Sequence, residues 1–306
     1  MKWTMSYLGP AATFCEEAAR VAVRANGSWQ LIPCSCIDGV FAAVQHGQAD
    51  YGIVPVENSC EGSVNLTLDL LAYKYPLEIV GEVILPVRHN LLAYPGVKLE
   101  NIVQVLSHPQ ALAQCRQYLS KHLGEVDLVT MSSTAEAAHR VAASDLPWAA
   151  IGTAAAARAY GLSVLQQEIQ DRGDNETRFI ILSQANEDRS LSDSETEGKL
   201  DYKTSLVISL SDQPGALFKA LEQFYLYEIN MSKIESRPAK TRIGNYLFFI
   251  DIQGHQMEPR ISKALRSLRS IVADLRLLGS YRTYHEVKNR SESRIGAVCD
   301  SPALGL

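Results

Sequence analysis

Polar side chains that could bind a ligand cluster at the ends of apolar strand patterns. The densest cluster is Asp174-Asn175-Glu176-Thr177-Arg178, which runs directly into Phe179-Ile180-Ile181-Leu182. Two further polar turns, Glu57-Asn58-Ser59 and Ser107-His108-Pro109-Gln110, also follow apolar segments. In open α/β sheets, ligands bind beyond the carboxyl ends of the strands. The three turns therefore predict one shared site.

Length and composition indicate a globular protein of two or three domains. The chain has 306 residues, of which 46% are hydrophobic and 21% are charged, as is usual for such proteins. The formal net charge is -5. With no Lys/Arg block in the sequence, a nucleic-acid partner is not expected.

The N-terminus and the cysteines predict a cytoplasmic protein without a membrane partner. Residues Met1–Pro10 lack the apolar core of a signal peptide, and no apolar run approaches the ~20 residues that a membrane helix needs. The six cysteines form no CxxC pair, and Cys34-Ser35-Cys36 is too closely spaced for an ordinary zinc half-site. We therefore expect free thiols and no metal.

The first ~185 residues alternate strand patterns with amphipathic helix patterns. Thr13 can cap a helix with Glu16 as its partner, and Pro109 predicts a helix that runs to about Leu123. This alternation predicts an α/β fold with mostly parallel sheets and helices on both faces. This first unit is expected at 1–184, with a second lobe inserted at about 77–167 and a cleft between the lobes.

The composition changes after residue 184. Residues 185–203 are acidic and Ser-rich, which is typical of a linker. Residues 204–284 follow the order βαββαβ of a ferredoxin-like unit. The polar residues 285–306 predict a poorly ordered tail.

Four motifs in this order resemble those of bacterial prephenate dehydratases with a C-terminal ACT domain. They are Leu8-Gly9-Pro10-Ala11-Ala12-Thr13-Phe14, Val56-Glu57-Asn58-Ser59 with Glu61-Gly62-Ser63, Ser107-His108-Pro109-Gln110 with Gln114, and Asn175-Glu176-Thr177-Arg178-Phe179. Ala12 and Cys15 depart from the residues usual in that family, Gly and often Ser. The resemblance implies a two-lobed catalytic domain like a periplasmic binding protein, followed by a ferredoxin-like ACT domain.

The resemblance also implies an activity and its residues. Prephenate loses CO2 and hydroxide to give phenylpyruvate, which requires neither a redox cofactor nor a metal. Thr177 is expected to donate a hydrogen bond to the leaving hydroxyl. The other expected catalytic residues are neutral donors, namely Asn58, Ser59, Ser107 and Gln114. The expected substrate-binding residues are Thr13, Glu57, Arg178 and Phe179. Two alternatives stay open, namely that strand alternation turns Arg178 away from Thr177 and that Phe179 packs beside the site and holds Thr177 in position.

Regulation is the second implication of the resemblance. An amino acid, expected to be phenylalanine, binds between two ACT domains and implies a homodimer or homotetramer. Gly215, Ala216 and Leu217 would meet it from one chain, and Asn230, Glu235 and Ser236 from the other. A chain ending near Gln184 is expected to keep its activity and lose this response. An amino-acid sensor without turnover and an arogenate dehydratase remain as alternatives, whereas a fused chorismate mutase is not expected.

Overall fold

The computed structural model describes residues 2–23, 28–184, 202–239 and 246–285. Most of the predicted linker and nearly all of the predicted tail lie outside these ranges. The strands are β1 Trp3–Leu8, β2 Trp29–Cys34, β3 Tyr51–Asn58, β4 Gly62–Ser63, β5 Leu77–Pro86, β6 Asn90–Ala93, β7 Gln104–Ser107, β8 Asp127–Thr130, β9 Trp148–Gly152, β10 Ser163–Gln166, β11 Glu176–Gln184, β12 Tyr202–Ser209, β13 Met231–Pro238, β14 Tyr246–Gln253 and β15 Asp274–His285. The α-helices are α1 Phe14–Ala22, α2 Ile37–Gln45, α3 Asn65–Tyr73, α4 Pro109–Gln114, α5 Arg116–His122, α6 Thr134–Ala142, α7 Ala154–Tyr160, α8 Ala216–Leu226 and α9 Pro259–Arg269.

The first lobe is built on a mixed sheet. Strand β1 pairs in parallel with β2 and β3, whereas β11 runs antiparallel between β3 and β5. The predicted α/β class is confirmed, but the expectation of mostly parallel pairing is wrong for this lobe. Strand β11 follows the second lobe in the chain. It begins at the end of the first sheet where β3 and β5 finish, and it is therefore antiparallel to both.

The second lobe is a five-stranded sheet in the order β10-β6-β9-β7-β8. Two segments connect the lobes, residues 87–89 after β5 and residues 167–175 before β11. The predicted start of this lobe at residue 77 is wrong, because β5 pairs with β11 over Leu77–Pro86 and so belongs to the first sheet. Thr177 lies just after the second connection, where the two lobes meet.

The C-terminal unit has the predicted order βαββαβ, with its strands arranged as β13-β14-β12-β15. Strand β15 also pairs with β5 of the first lobe, so that one ten-stranded sheet spans both domains. Gly279 lies at this seam with φ +148, and a Cβ there would overlap the carbonyl oxygen of Ile79. Only glycine therefore permits this close approach.

One apolar cluster is shared between the domains. Val54 and Leu71 of the first lobe belong to the same buried cluster as Phe249 and Leu278 of the C-terminal unit. The shared cluster and the continuous sheet make the C-terminal unit part of the first lobe's packing. A chain ending at 184 would expose this apolar face and the edge of β5. The prediction that such a chain stays active therefore requires the first lobe to fold without the shared cluster and without β15.

The predicted helix from Pro109 to Leu123 is interrupted at Cys115. The amide N–H of Asp171 donates to the carbonyl of Gln114 at 2.7 Å, and the Asp171 carboxylate accepts from the N–H groups of Gln117 and Tyr118. Asp171 thus satisfies backbone groups at the break. The residue lies in the connection 167–175, so this interruption depends on a tertiary contact.

Candidate active site

A cavity of about 210 Å³ lies between the two lobes. The first lobe and the connection 87–89 contribute Phe14, Asn58, Thr177, Val87 and His89. The second lobe contributes His108, Gln110, Ala111, Gln114, Ser132, Ser133 and Thr134. Among these described residues, none is Lys, Arg, Asp or Glu, so the cavity is lined by neutral polar groups, histidines and apolar side chains.

Thr177 and Asn58 are paired across β11 and β3. The Asn58 Nδ2 group donates to Thr177 Oγ1 at 2.8 Å and to Asn175 Oδ1 at 2.8 Å. Asn58 Oδ1 accepts from the backbone N–H groups of Cys60 and Glu61, both at 3.0 Å. The Thr177 oxygen is thus occupied as an acceptor. Within the described ranges, its hydrogen has no recorded acceptor and remains available to a ligand.

Gln114 joins this pair to a histidine that the sequence analysis did not select. Gln114 Oε1 accepts from Asn175 Nδ2 at 3.2 Å and lies 3.0 Å from His89 Nε2. Gln114 Nε2 and His89 Nδ1 are buried without a partner in the described structure. The only sequence signal for His89 is its position, a single histidine between two apolar strands.

Burial lowers the pKa of His89 from its usual value, and the hydrogen bond to Gln114 opposes this shift. In the unfolded chain the histidine pKa is about 6.5, so His89 binds a proton more readily there than in the folded protein. We expect the free energy of unfolding to fall as the pH drops below about 6.5, until the lower folded pKa is passed. Denaturant titrations of wild type and His89→Gln between neutral and acid pH measure this contribution. If the free energy of unfolding of His89→Gln depends on pH as that of wild type does, the expectation is contradicted. His46→Gln, at an exposed position, serves as the control.

The start of α6 forms another wall of the cavity that sequence reasoning missed. Ser133 caps this helix by accepting from the N–H of Glu136 at 3.0 Å. The Glu136 carboxylate accepts from the N–H and the hydroxyl of Ser132. The first N–H groups of a helix have no intrahelical partners and attract anions. Because the Glu136 carboxylate already takes both Ser132 groups, only the remaining N–H groups of this turn are left to meet a substrate carboxylate.

Three predicted site residues hold the surrounding backbone and do not line this cavity. Ser107 is fully buried and donates to the carbonyl of Ile151 at 2.8 Å. The Ser59 hydroxyl accepts from the N–H of Glu176 at 3.0 Å. Thr13 caps α1 and donates to the carbonyl of Pro10 at 3.0 Å. Each of these hydroxyls already has a protein partner. Direct contact between them and the substrate remains a prediction.

Arg178 points to the opposite side of β11 from Thr177, which contradicts the predicted contact with substrate. Its guanidinium donates to Glu82 at 2.6 Å, to Asp251 at 2.6 Å and to the Tyr281 hydroxyl at 2.8 Å. Successive side chains of a strand face opposite sides. Arg178 therefore faces the C-terminal unit, where Lys203 also contacts Glu82 at 2.6 Å.

The other two predicted substrate-binding residues also lie outside the cavity lining. Glu57 forms an ion pair with Lys233 of β13 at 3.0 Å. Phe179 is 1% exposed and packs in the core of the first lobe. Substrate contact by Glu57 therefore stays a prediction, whereas Phe179 is a core residue that packs next to the strand position that carries Thr177.

A smaller cavity of about 150 Å³ occurs in the C-terminal unit. Ala216 and Leu217 line it together with Asp212 and Phe248. Gly215 precedes α8 with φ +80, a conformation that favours glycine. Asn230 and Ser236 are exposed, and Glu235 accepts from Ser63 of the first lobe. Their contact with an effector bound to a second copy remains a prediction.

The described ranges hold neither a metal-binding cluster nor a membrane-spanning helix. No group of three or more His, Cys, Asp or Glu side chains with a metal-binding arrangement occurs there. No described helix is long and apolar enough to cross a membrane. Five of the cysteines, Cys15, Cys34, Cys36, Cys60 and Cys115, are free thiols.

The fold and the cavity define a two-lobed α/β ligand-binding domain joined to a ferredoxin-like regulatory domain. The family model described as prephenate dehydratase matches residues 5–187, and the ACT domain model matches residues 204–270. The chain belongs to the prephenate dehydratase family and carries an ACT domain.

Named relatives agree with this assignment. Prephenate dehydratase of Bacillus subtilis is 41% identical over 92% of this chain and 99% of its own. Arogenate dehydratase 2 of Petunia hybrida is 41% identical over 90% of this chain and 71% of its own. The structure of prephenate dehydratase from Arthrobacter aurescens in complex with L-Phe has a TM-score of 0.78 and 38% identity, covering 92% of this chain and 90% of its own.

Proposed function

We propose that the protein converts prephenate into phenylpyruvate, CO2 and water at the cavity between the lobes. The bond from the ring to its carboxylate breaks, and its electron pair enters the ring as the C–O bond to the hydroxyl breaks. A proton from solvent completes the water that leaves. The observation that carries this proposal is Thr177, whose oxygen accepts from Asn58 and whose hydrogen has no acceptor among the described residues.

Thr177 acts as a fixed hydrogen-bond donor in this reaction. A threonine hydroxyl is too weakly acidic to give up its proton at neutral pH, but it can stabilise the negative charge that develops on the leaving oxygen. Asn58, Asn175 and Ser59 position the donor by holding the end of β11 against the turn after β3. These three residues position Thr177 without requiring contact with substrate.

The neutral lining suits a substrate from which a carboxylate must depart as CO2. A tightly paired cation would stabilise the carboxylate and oppose its loss, whereas amides, hydroxyls and the start of α6 bind it more weakly. The buried Nε2 of Gln114 is a donor that has no partner in the part of the chain that the structure describes. It is the side-chain donor that we assign to a substrate carboxylate.

Prephenate fits this lining better than arogenate does. Arogenate carries an ammonium group on its side chain, and the described lining residues include no Asp or Glu to pair with it. The keto group of prephenate needs no such partner. Initial rates with the two substrates test this preference. A higher kcat/KM for arogenate would assign the protein to the other substrate.

We further propose that the protein is cytoplasmic, that it assembles as a homodimer or homotetramer, and that phenylalanine inhibits it by feedback. The cavity at Ala216 and Leu217 supplies one half of the expected effector site. Turnover of prephenate, followed by phenylpyruvate formation with and without phenylalanine, is expected to show suppression. Turnover without suppression rejects the proposed effector, and absence of turnover with both substrates favours an amino-acid sensor. Light scattering with and without phenylalanine measures the subunit number.

A further inference from the structure

Backbone groups set the direction of the side-chain hydrogen bonds that link β3 to the cavity. The N–H groups of Cys60 and Glu61 can only donate, so the atom of Asn58 that faces them is its oxygen. The Asn58 amide nitrogen must then face Thr177 and Asn175. The side-chain amide of Asn58 therefore has one orientation.

The same argument continues through two more amides. Asn175 presents its oxygen to Asn58 at 2.8 Å and hence its nitrogen to Gln114 at 3.2 Å. Gln114 must present its oxygen to this nitrogen, and the same oxygen lies 3.0 Å from His89 Nε2. A carbonyl oxygen cannot donate, so His89 carries a hydrogen on Nε2. In a neutral ring, His89 Nδ1 is then a hydrogen-bond acceptor.

His89 has the position expected of a residue that meets a ligand. It lines the cavity, is 3% exposed, and has no partner for Nδ1 in the described structure. A buried acceptor without a partner is costly and gains from a donor supplied by a ligand. At neutral pH, prephenate offers one hydrogen for donation, that of its ring hydroxyl, because both carboxylates are ionised.

We propose that His89 contacts the substrate, held as the Nε2–H tautomer so that Nδ1 accepts a hydrogen bond from the leaving hydroxyl, with no proton transferred to the ring. This role rests on the proposed function and adds a second contact to the same oxygen. With its own hydrogen held by His89, the hydroxyl turns a lone pair toward Thr177. The orientation of the leaving group is thus fixed from both sides, by one acceptor and one donor.

Ring-nitrogen NMR of protein labelled with nitrogen-15 in histidine tests the tautomer directly. The His89 signals are those that disappear in His89→Gln. At neutral pH we expect a hydrogen on Nε2 alone. In Asn175→Asp, once the new carboxyl group is ionised, it can only accept, so Gln114 turns its nitrogen toward it and toward His89, and the hydrogen moves to Nδ1. Gln114→Glu is the matched control, because its carboxylate still accepts from Nε2.

Two NMR results overturn the proposal. One is a hydrogen on Nδ1 in wild type, and the other is an unchanged tautomer in folded Asn175→Asp. If Asn175→Asp does not fold, wild type and Gln114→Glu still decide, since both must carry the hydrogen on Nε2. These spectra require no substrate, so they remain decisive even if prephenate turnover, and with it the proposed function, fails.

The kinetic consequence is measured with His89→Gln. Its side-chain amide nitrogen can replace Nε2 as the donor to Gln114, but the ring acceptor is lost. We expect kcat/KM for prephenate to fall about tenfold, the effect of one hydrogen bond of ordinary strength. An unchanged kcat/KM in this variant overturns the substrate contact.

Discussion

Thr177→Val is expected to lower kcat for prephenate by about 10²–10³-fold, the usual effect of removing one preorganised donor at a developing negative charge. Valine keeps the shape of threonine and removes only the hydroxyl. Asn58 retains Asn175 and the carbonyl of Glu176 as acceptors, so we expect folding to be largely unaffected. Steady-state kinetics and thermal unfolding of the same preparation separate the two effects.

Thr177→Ser is the matched control for the hydroxyl. It keeps the group that Asn58 contacts at 2.8 Å and removes one methyl. We expect this variant to retain much of the wild-type kcat. Equal activity in wild type and Thr177→Val would remove Thr177 from the mechanism, whatever the serine variant does.

Arg178→Met is expected to lower the free energy of unfolding by roughly 3–5 kcal/mol, the usual cost of leaving a buried partner charge without its counter-ion. Arg178 is bonded to Glu82, Asp251 and Tyr281, and all three are buried. Glu82 keeps Lys203 in the variant, whereas the one remaining partner of Asp251 among the described residues is the neutral donor Ser205. Urea unfolding measures the difference.

Arg88→Met is the control for this second prediction. Arg88 pairs with Glu168, and about half of each side chain is exposed. Exposed pairs contribute about 0–1 kcal/mol, so this variant should unfold close to wild type. A loss for Arg178→Met no larger than that for Arg88→Met would show that the charge cluster between the domains does not stabilise the protein.

The polar turns after apolar strands predicted that their side chains meet, but not which partner each side chain has. Thr177, Asn58 and Gln114 do meet at one cavity. The sequence offered no way to know that the Ser107 hydroxyl is used by the carbonyl of Ile151. A hydroxyl in a polar turn is equally suited to a ligand and to a neighbouring backbone, and the partner is chosen by packing.

Residues distant from these motifs were missed for the same reason. His89 lies between Arg88 and Asn90 in a short link between two strands, outside every motif, and Ser132 to Thr134 form an ordinary helix start. Both reach the cavity because the connections 87–89 and 167–175 bring the lobes together. No local pattern encodes that approach.

The sequence by itself determined the α/β class, the βαββαβ order of the C-terminal unit and the family, because these follow from local periodicity and from motifs in a fixed order. Only the tertiary structure decided that β5 joins the first sheet, that β15 pairs with it, and that Arg178 faces Asp251. Strand partners and buried charge pairs arise from segments far apart in the chain. Their choice depends on the total packing of the folded protein, which short-range patterns do not contain.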